Sequence, residues 1–443
     1  MAFTFALSFL FFLPGDLMAQ TGAKPIEEKT LDKKTKADII DSISAAMNEI
    51  YVFPEVAEKM EQHIRQNFKD KKYDEITNLY EFTDKLTQDL REISHDGHLA
   101  VFPLAEDDFT LAEADTLSDE KRRKMIEQLR YINFGFVKLE RLEGNVGYLD
   151  LRRFCMAEFA GETAIAAMNF LSNCEAIIID LRQNGGGEPS MIQLITSYFF
   201  NEPVHLNSFY IRKTDSIQQF WTQAHVQGPR MTDVDLYILT SGMTYSGAEE
   251  FTYNLKNLKR ATIVGETTGG GAHPTEGRAF ANLGVDMSLP FGRAINPITG
   301  TNWERTGVEP DIKVEQAKAL EVAYLMALKK LSEKTKNAEK KYRLDWAVTG
   351  LEARQNPVEV DEAVLKAYAG TYGPRTITFE DGKLHYQRVD RPKFVMIPMS
   401  EDLFRFEEID YFRLKVLKDE KGDPIALEGL YADGFTDKSI RDK

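Results

Sequence analysis

Cysteine is nearly missing from this sequence of 443 residues: only Cys155 and Cys174 occur. Two cysteines make no disulfide framework. They read first as buried thiols, with a single bridge as the alternative in an oxidising compartment. Positive charge is also short, with 55 Lys and Arg against 70 Asp and Glu and a formal charge of −15, and no basic stripe interleaved with aromatics occurs. Long-range electrostatics therefore disfavour nucleic acid or an anionic lipid surface as partner. No CxxC, no HExxH, no GxGxxG fingerprint and no P-loop lysine is present, so no metal and no cofactor is expected.

Long hydrophobic runs are scarce as well. Residues 2–14 are apolar, but the run is too short to span a bilayer. It leads through Gly15-Asp16 to Leu17-Met18-Ala19-Gln20, with a cleavage site expected after Ala19. Residues 1–19 thus read as a signal peptide, which implies a secreted or periplasmic protein of a bacterial cell envelope, with no integral membrane span in the mature chain. One feature departs from that pattern: no Lys or Arg precedes Lys24. An interfacial or buried N-terminal helix is the alternative. No cysteine follows the site, so a lipid anchor is not expected.

What is present is globular. Hydrophobic residues make up 43% and charged residues 28%, and the length suits two or three domains. Over residues 37–93, apolar positions recur at helical spacing, as in Ile39, Ile43, Met47 and Ile50, and again in Phe82, Leu86, Leu90 and Ile93. A helical N-terminal domain over 30–100 is expected. From Asn145 short apolar strands alternate with helical segments, including Ala176-Ile177-Ile178-Ile179-Asp180 and Leu236-Tyr237-Ile238-Leu239-Thr240. That alternation argues for an α/β core over 101–340 with parallel pairings. Beyond Pro357, short alternating runs and turns at Asp381-Gly382 and Gly422-Asp423 predict a small all-β C-terminal domain over 356–443.

Three segments place reactive groups beside small residues at strand ends. Thr240-Ser241-Gly242-Met243-Thr244-Tyr245-Ser246-Gly247-Ala248 runs from a buried strand into a helix. A serine there is either an N-cap or a nucleophile set against the positive end of a helix. Asp180-Leu181-Arg182-Gln183-Asn184-Gly185-Gly186-Gly187 makes a similar crossing, and its glycines form either a tight turn or an anion-binding nest. Ser94-His95-Asp96-Gly97-His98 offers two imidazoles, each a surface residue or a base.

Taken together the segments resemble the tail-specific (C-terminal-processing) serine peptidase family. They are most similar to the branch of the tricorn protease core and interphotoreceptor retinoid-binding protein. The resemblance covers residues 90–315 and includes two further blocks. These are Val264-Gly265-Glu266-Thr267-Thr268-Gly269-Gly270-Gly271-Ala272 and Trp303-Glu304-Arg305-Thr306-Gly307-Val308-Glu309-Pro310-Asp311. It implies a crotonase-like core of stacked ββα units and a serine endopeptidase acting on peptide or protein substrates. Ser246 would be the nucleophile, His98 the base and Glu304 its orienting partner. Backbone N–H groups of Gly247 and Gly186 would form the oxyanion hole. The lysine base of the other branch has no counterpart, since Gly271 stands at its position, and Gly97 replaces the serine that precedes the histidine in some members. The stretch between Phe102 and Asn145 is too short for an inserted PDZ domain, so tail recognition is not implied. His273 is the alternative base, and Glu249 and Glu250 read as helix N-terminal charges. Tyr245 and Trp303 read as packing residues that could line a pocket. The competing readings are a non-catalytic binding protein for an apolar ligand on the same fold and, more remotely, an acyl-CoA enzyme.

Overall fold

The computed structural model describes residues 31–104 and 119–442; the expected signal segment, 1–19, lies outside them. Three helices open the described chain: α1 (Lys33–Ile50), α2 (Pro54–Lys69) and α3 (Leu79–Ser94). Their ends follow from local chemistry. Asp32 accepts from the Thr35 N–H at 2.7 Å and Asn78 from the Glu81 N–H at 2.8 Å, satisfying donors that the first helical turn leaves free. The periodic apolar residues face inward: Ile39, Ile43, Met47, Phe82, Leu86 and Leu90 share one buried cluster with Val285, Met287 and Leu289. At the end of α3, His95 takes a left-handed conformation (φ 53°). That reverses the chain through Asp96-Gly97-His98 into β1 (Ala100–Pro103).

The core follows as α4 (Asp119–Tyr131), β2 (Phe136–Leu142), β3 (Val146–Leu151), α5 (Ala157–Leu171), β4 (Ala176–Asp180) and α6 (Pro189–Ser197). After these come β5 (His205–Ile211), β6 (Ser216–Trp221), β7 (Asp235–Thr240), α7 (Gly247–Asn257) and β8 (Ala261–Gly265). The last pieces are β9 (Thr275–Gly277), β10 (Val285–Pro290), β11 (Gly292–Ile295) and β12 (Ile312–Lys313); α8 (Gln316–Lys334) follows, most of it belonging to the second unit. A six-stranded sheet has the order β12-β8-β7-β4-β3-β2, and two three-stranded antiparallel sheets, β1-β10-β9 and β11-β5-β6, complete the unit. The pairs β4/β7, β7/β8 and β8/β12 are parallel, with Ala176 opposite Asp235 and Leu236 opposite Ala261.

Every residue of β4 is buried, as its continuous apolar run requires, and α5, α6 and α7 supply Ala164, Met168, Ile195, Phe251 and Leu255 to the same core. Neighbouring parallel strands end side by side, so the loops after β4 and β7 open at one edge. Crevices beyond the carboxyl ends of parallel strands are where α/β sheets hold ligands. Cys155 and Cys174 are both free and buried; burial pushes the Cys155 thiol up to about 11.

By its contacts the chain forms two units, Met1–Arg141 with Gly147–Leu320, and Leu142–Val146 with Glu321–Lys443. The second contains α9 (Ala338–Gln355), α10 (Glu362–Tyr368) and an eight-stranded antiparallel sheet between Gly370 and Ile440, each strand paired with the next in sequence. The hairpin turn at Asp381 and Gly382 has positive φ at both residues (49° and 76°), the geometry a tight two-residue connection demands. Inside this unit the buried Arg375 pairs with Asp437 at 2.5 Å and also donates to Ser439 Oγ.

Buried acids concentrate beside the core helices. Glu188, 7% exposed, leaves Oε1 without a hydrogen-bond partner, and burial pushes its carboxyl up to about 8. Burial likewise lifts Glu249 and Glu250 to about 7. Between the ordinary value of 4.5 and these raised values, the folded chain holds protons that the unfolded chain has released. Their contribution to stability is therefore greatest below the ordinary value and is lost as pH rises towards 8. Glu188→Gln, which cannot ionise, is expected to flatten the fall in Tm between mildly acid and mildly alkaline pH. Thermal melts that run parallel to wild type across that range would contradict this.

Candidate active site

Two crossings meet at the open edge of the sheet. After β7 the chain turns through residues 241–245, and hydroxyls pin this turn to the end of β4: Ser241 Oγ donates to the Arg182 carbonyl at 2.6 Å and Thr244 Oγ1 to the Leu181 carbonyl at 2.8 Å. The Tyr245 N–H donates to the Asn184 carbonyl at 3.0 Å. Ser246 then adopts φ 54° and ψ −120° immediately before the first turn of α7. A non-glycine residue at positive φ is strained, and such strain persists where surrounding contacts over-determine it. Here the Ser246 N–H donates to Glu249 Oε2 at 2.9 Å.

The glycine run is held equally close. At Gly186 (φ 113°) an added Cβ would lie 2.9 Å from both the Ser246 Cβ and the Gly247 N. At Gly187 (φ 140°) it would sit 2.0 Å from the Phe154 carbonyl oxygen. Only glycine fits either place. The Gly186 N–H, expected to face an oxyanion, instead donates to Asn184 Oδ1 at 2.8 Å. The Gly187 N faces Gly247, within 2.9 Å of where a Cβ on Gly247 would stand. The backbones of Gly187 and Gly247 are therefore in close contact beside Ser246.

His98 arrives from the α3–β1 connection. Its N–H donates to Asp96 Oδ1 at 3.0 Å, and its ring lies 4.8 Å from the Tyr245 ring, centroid to centroid. Arg91 clasps this connection by donating to the Leu99 and Gly97 carbonyls, both at 2.7 Å. Both His98 ring nitrogens are buried without a hydrogen-bond partner. Burial pushes its pKa down to about 4, outweighing the pull of Asp96, while His273 and Arg91 add to the depression. The imidazole is neutral at physiological pH, with a lone pair to offer.

Glu304 comes from the loop after β11. Its N–H donates to Asn302 Oδ1 at 2.9 Å, its Oε2 accepts from the Ala272 N–H at 2.6 Å, and its Oε1 is buried without a partner. Burial raises its pKa to about 7, with His273 pulling the other way. Asp96, His98 and Glu304 present donor atoms within 4.8 Å of one another, a set whose chemistry also suits a cation. The fold therefore brings His98 and Glu304 together beside Tyr245, and separately clusters Ser246, Gly186 and Gly247.

Several participants were not assigned such roles on sequence. Asp96 is buried and takes three donors, Tyr51 Oη at 3.2 Å, the His98 N–H, and His273 Nδ1 at 2.7 Å. Glu249, expected as a helix-terminal charge, is fully buried: it accepts from Thr268 Oγ1 at 2.5 Å and from the N–H groups of Gly270 at 2.6 Å and Gly271 at 2.8 Å, besides Ser246. Trp303 is buried, and its Nε1–H donates to the Gly271 carbonyl at 2.7 Å, a packing role with a polar anchor. Gly271 lies against both Tyr245 and His98, since a Cβ there would meet the phenol ring and the imidazole.

Residues 145–314 match the family model described as peptidase family S41. Residues 30–131 match the model for the N-terminal domain of peptidase S41 in eukaryotic IRBP. Among solved structures, a photosystem II D1 C-terminal processing protease is similar at 20% identity over 39% of this chain and 42% of its own length, with a TM-score of 0.32. A putative peptidase from Parabacteroides merdae is similar at 18% identity over 67% of this chain and 97% of its own, with a TM-score of 0.47. The tricorn protease is similar at 12% identity over 72% of this chain and 37% of its own, with a TM-score of 0.40. The two family matches run in order along more than half of the sequence and enclose every residue of the site described above: the chain belongs to peptidase family S41.

Proposed function

We propose that this protein is a serine endopeptidase working through Ser246, His98 and Glu304, exported to the periplasm or cell exterior. The observation that carries the reading is the convergence of His98 and Glu304, from loops far apart in sequence, to within 4.8 Å of each other beside the strained Tyr245–Ser246 turn. In the first step Ser246 Oγ attacks the peptide carbonyl carbon while His98 takes the hydroxyl proton. The imidazolium so formed gains the attraction of Glu304, which is why a carboxylate belongs beside it. The C–N bond then breaks as His98 returns the proton to the leaving amine, giving an acyl-enzyme. Water attacks the ester with His98 again as base, releasing the acid and restoring Ser246.

The negative oxygen of each tetrahedral intermediate is served by the Gly247 N–H and an N–H of the glycine run. Gly186 fills the second role if its amide swings off Asn184, and Gly187 fills it otherwise. Each such donor is worth about 10²–10³-fold in rate. A binding protein for an apolar ligand on the same fold remains the second reading. The neutral, unpartnered His98 ring fits a carrier as well as an enzyme, so the labelling experiment below separates the two.

A fluorophosphonate probe is expected to label the wild type at Ser246 and to leave Ser246→Ala and His98→Ala unlabelled. Unlabelled but folded wild type, together with tight binding of an apolar fluorophore, would move the assignment to the carrier. Digestion of casein read by mass spectrometry should give internal fragments; stepwise trimming from one terminus would replace endopeptidase by exopeptidase.

The pH profile is a separate prediction. Only ionised Glu304 can stabilise the imidazolium, so kcat/KM should rise with pH through a limb near 7, the value to which burial lifts this carboxyl. His98, already neutral above about 4, adds no limb in that range. Glu304→Gln should abolish the limb and lower kcat/KM by roughly 10²-fold or more. A limb that survives unchanged in Glu304→Gln assigns it to another group.

A further inference from the structure

A second imidazole lies behind the first. His273 follows the glycine run, is buried, and presents Nδ1 to two carboxylates, Asp96 Oδ2 at 2.7 Å and Glu304 Oε2 at 3.7 Å. These are the carboxylates that flank His98: Asp96 fixes its backbone N–H, and Glu304 is the orienting acid proposed above. We infer that His273 is a positioning residue: its Nδ1–H bonds Asp96 while its charge attracts Glu304, which holds the acid that serves His98 close to that base. This rests on the peptidase assignment for its consequence, though not for the existence of the tie.

The electrostatics are consistent with a charged ring. Burial alone would lower the His273 pKa, but the hydrogen bond and charge of Asp96, with Glu304 beyond it, raise it above its ordinary value, while Arg305 opposes. Asp96 responds in kind: burial would raise its pKa, and His273 holds it down. The other groups facing the cluster are Tyr51, whose hydroxyl donates to Asp96, His98, which carries no charge, and Tyr245, a neutral phenol that burial keeps protonated. Phe53 closes the apolar side with its ring 5.6 Å from that of His273. Once Glu304 is ionised, the carboxylates of Asp96 and Glu304 favour the positive charge that His98 acquires in the transition state.

The tie makes His273 a group that acts through Glu304 and never touches substrate. Without it, Glu304 keeps its burial and the repulsion of Asp96 but loses its nearest cation. Its carboxyl should then ionise later, and the acidic limb of kcat/KM should move to higher pH.

The test begins with a measurement that needs no activity. In Ser246→Ala protein, the His273 ring signal, assigned through its contact with Phe53, is followed by NMR against pH. It is expected to titrate above the ordinary histidine value of about 6.5, and to fall on Glu304→Gln. A ring that titrates at or below the ordinary value and ignores Glu304→Gln overturns the tie. Kinetics then test the consequence. His273→Gln, checked for folding by circular dichroism, should lower kcat about 10–100-fold with KM within about twofold, and move the acidic limb upward. His273→Asn, whose Nδ2 can stand near the place of Nδ1 and donate to Asp96, should recover part of the rate. A His273→Gln enzyme with wild-type kcat and limb overturns the positioning role, leaving the ring as packing. Fluorophosphonate labelling abolished as fully as in Ser246→Ala overturns it the other way, by making His273 the base. If the wild type itself is unlabelled, the peptidase assignment fails, and the NMR titration still decides whether His273 joins the two carboxylates.

Discussion

The buried carboxylate of Glu249 joins the two halves of the site. It stands in the first turn of α7, where one oxygen accepts from the Ser246 N–H and from Gly271, while the other accepts from Thr268 and Gly270. An acid in that position would normally point to water and interact weakly with the helix end. Here it is enclosed by the 268–271 loop, and four donors offset part of the cost of its burial. The consequences run outward from it. Thr268 also accepts from the Val308 N–H, Gly271 receives Trp303 on its carbonyl, and Ala272 donates to Glu304. Ser246 and the Glu304 loop are thereby registered against one another through a single side chain, although no contact between them is needed.

The strain at Ser246 has the same origin. A positive φ on serine is held because its N–H is bonded to Glu249, the preceding Tyr245 N–H is bonded to Asn184, and Gly186 and Gly187 leave room for the turn. The resting site is a poised arrangement. His98 is neutral with both ring nitrogens unengaged, Glu304 keeps one oxygen free, and the Gly247 amide stands next to the serine. Charge created on His98 during reaction would be answered by acids already in place, which is the preorganisation that electrostatic catalysis requires.

Much of the scaffold was legible in the residues themselves. The apolar runs of β4 and β7 and the helical spacing of α1 and α3 announce their own burial, and short alternating runs announce the C-terminal sheet. Helix α9 escaped notice because its few buried residues, Leu344, Trp346, Ala347 and Leu351, form a narrow stripe among charges. In the site, the Ser246 turn could be suspected from its small residues between a strand and a helix. His98 could be suspected as one of two imidazoles at the end of a helix, but only the family resemblance chose it over His95, and only the resemblance pointed to Glu304. The roles of Glu249, Asp96 and His273 were not legible. Each depends on a partner more than about 15 residues away in sequence, Thr268 for Glu249 and His273 for Asp96. Burial of an acid is a property of the fold, and no local pattern announces it.

The central claim is that Ser246, His98 and Glu304 act on one reacting carbon. The most direct measurement is a crystal structure of the adduct formed with a peptidyl phosphonate. The account predicts phosphorus bonded to Ser246 Oγ, a phosphonyl oxygen receiving the Gly247 N–H, and one His98 nitrogen within hydrogen-bond reach of Oγ while the other faces Glu304. An adduct in which His273 takes that place beside Oγ, or in which phosphorus is bonded to a different residue, would contradict it.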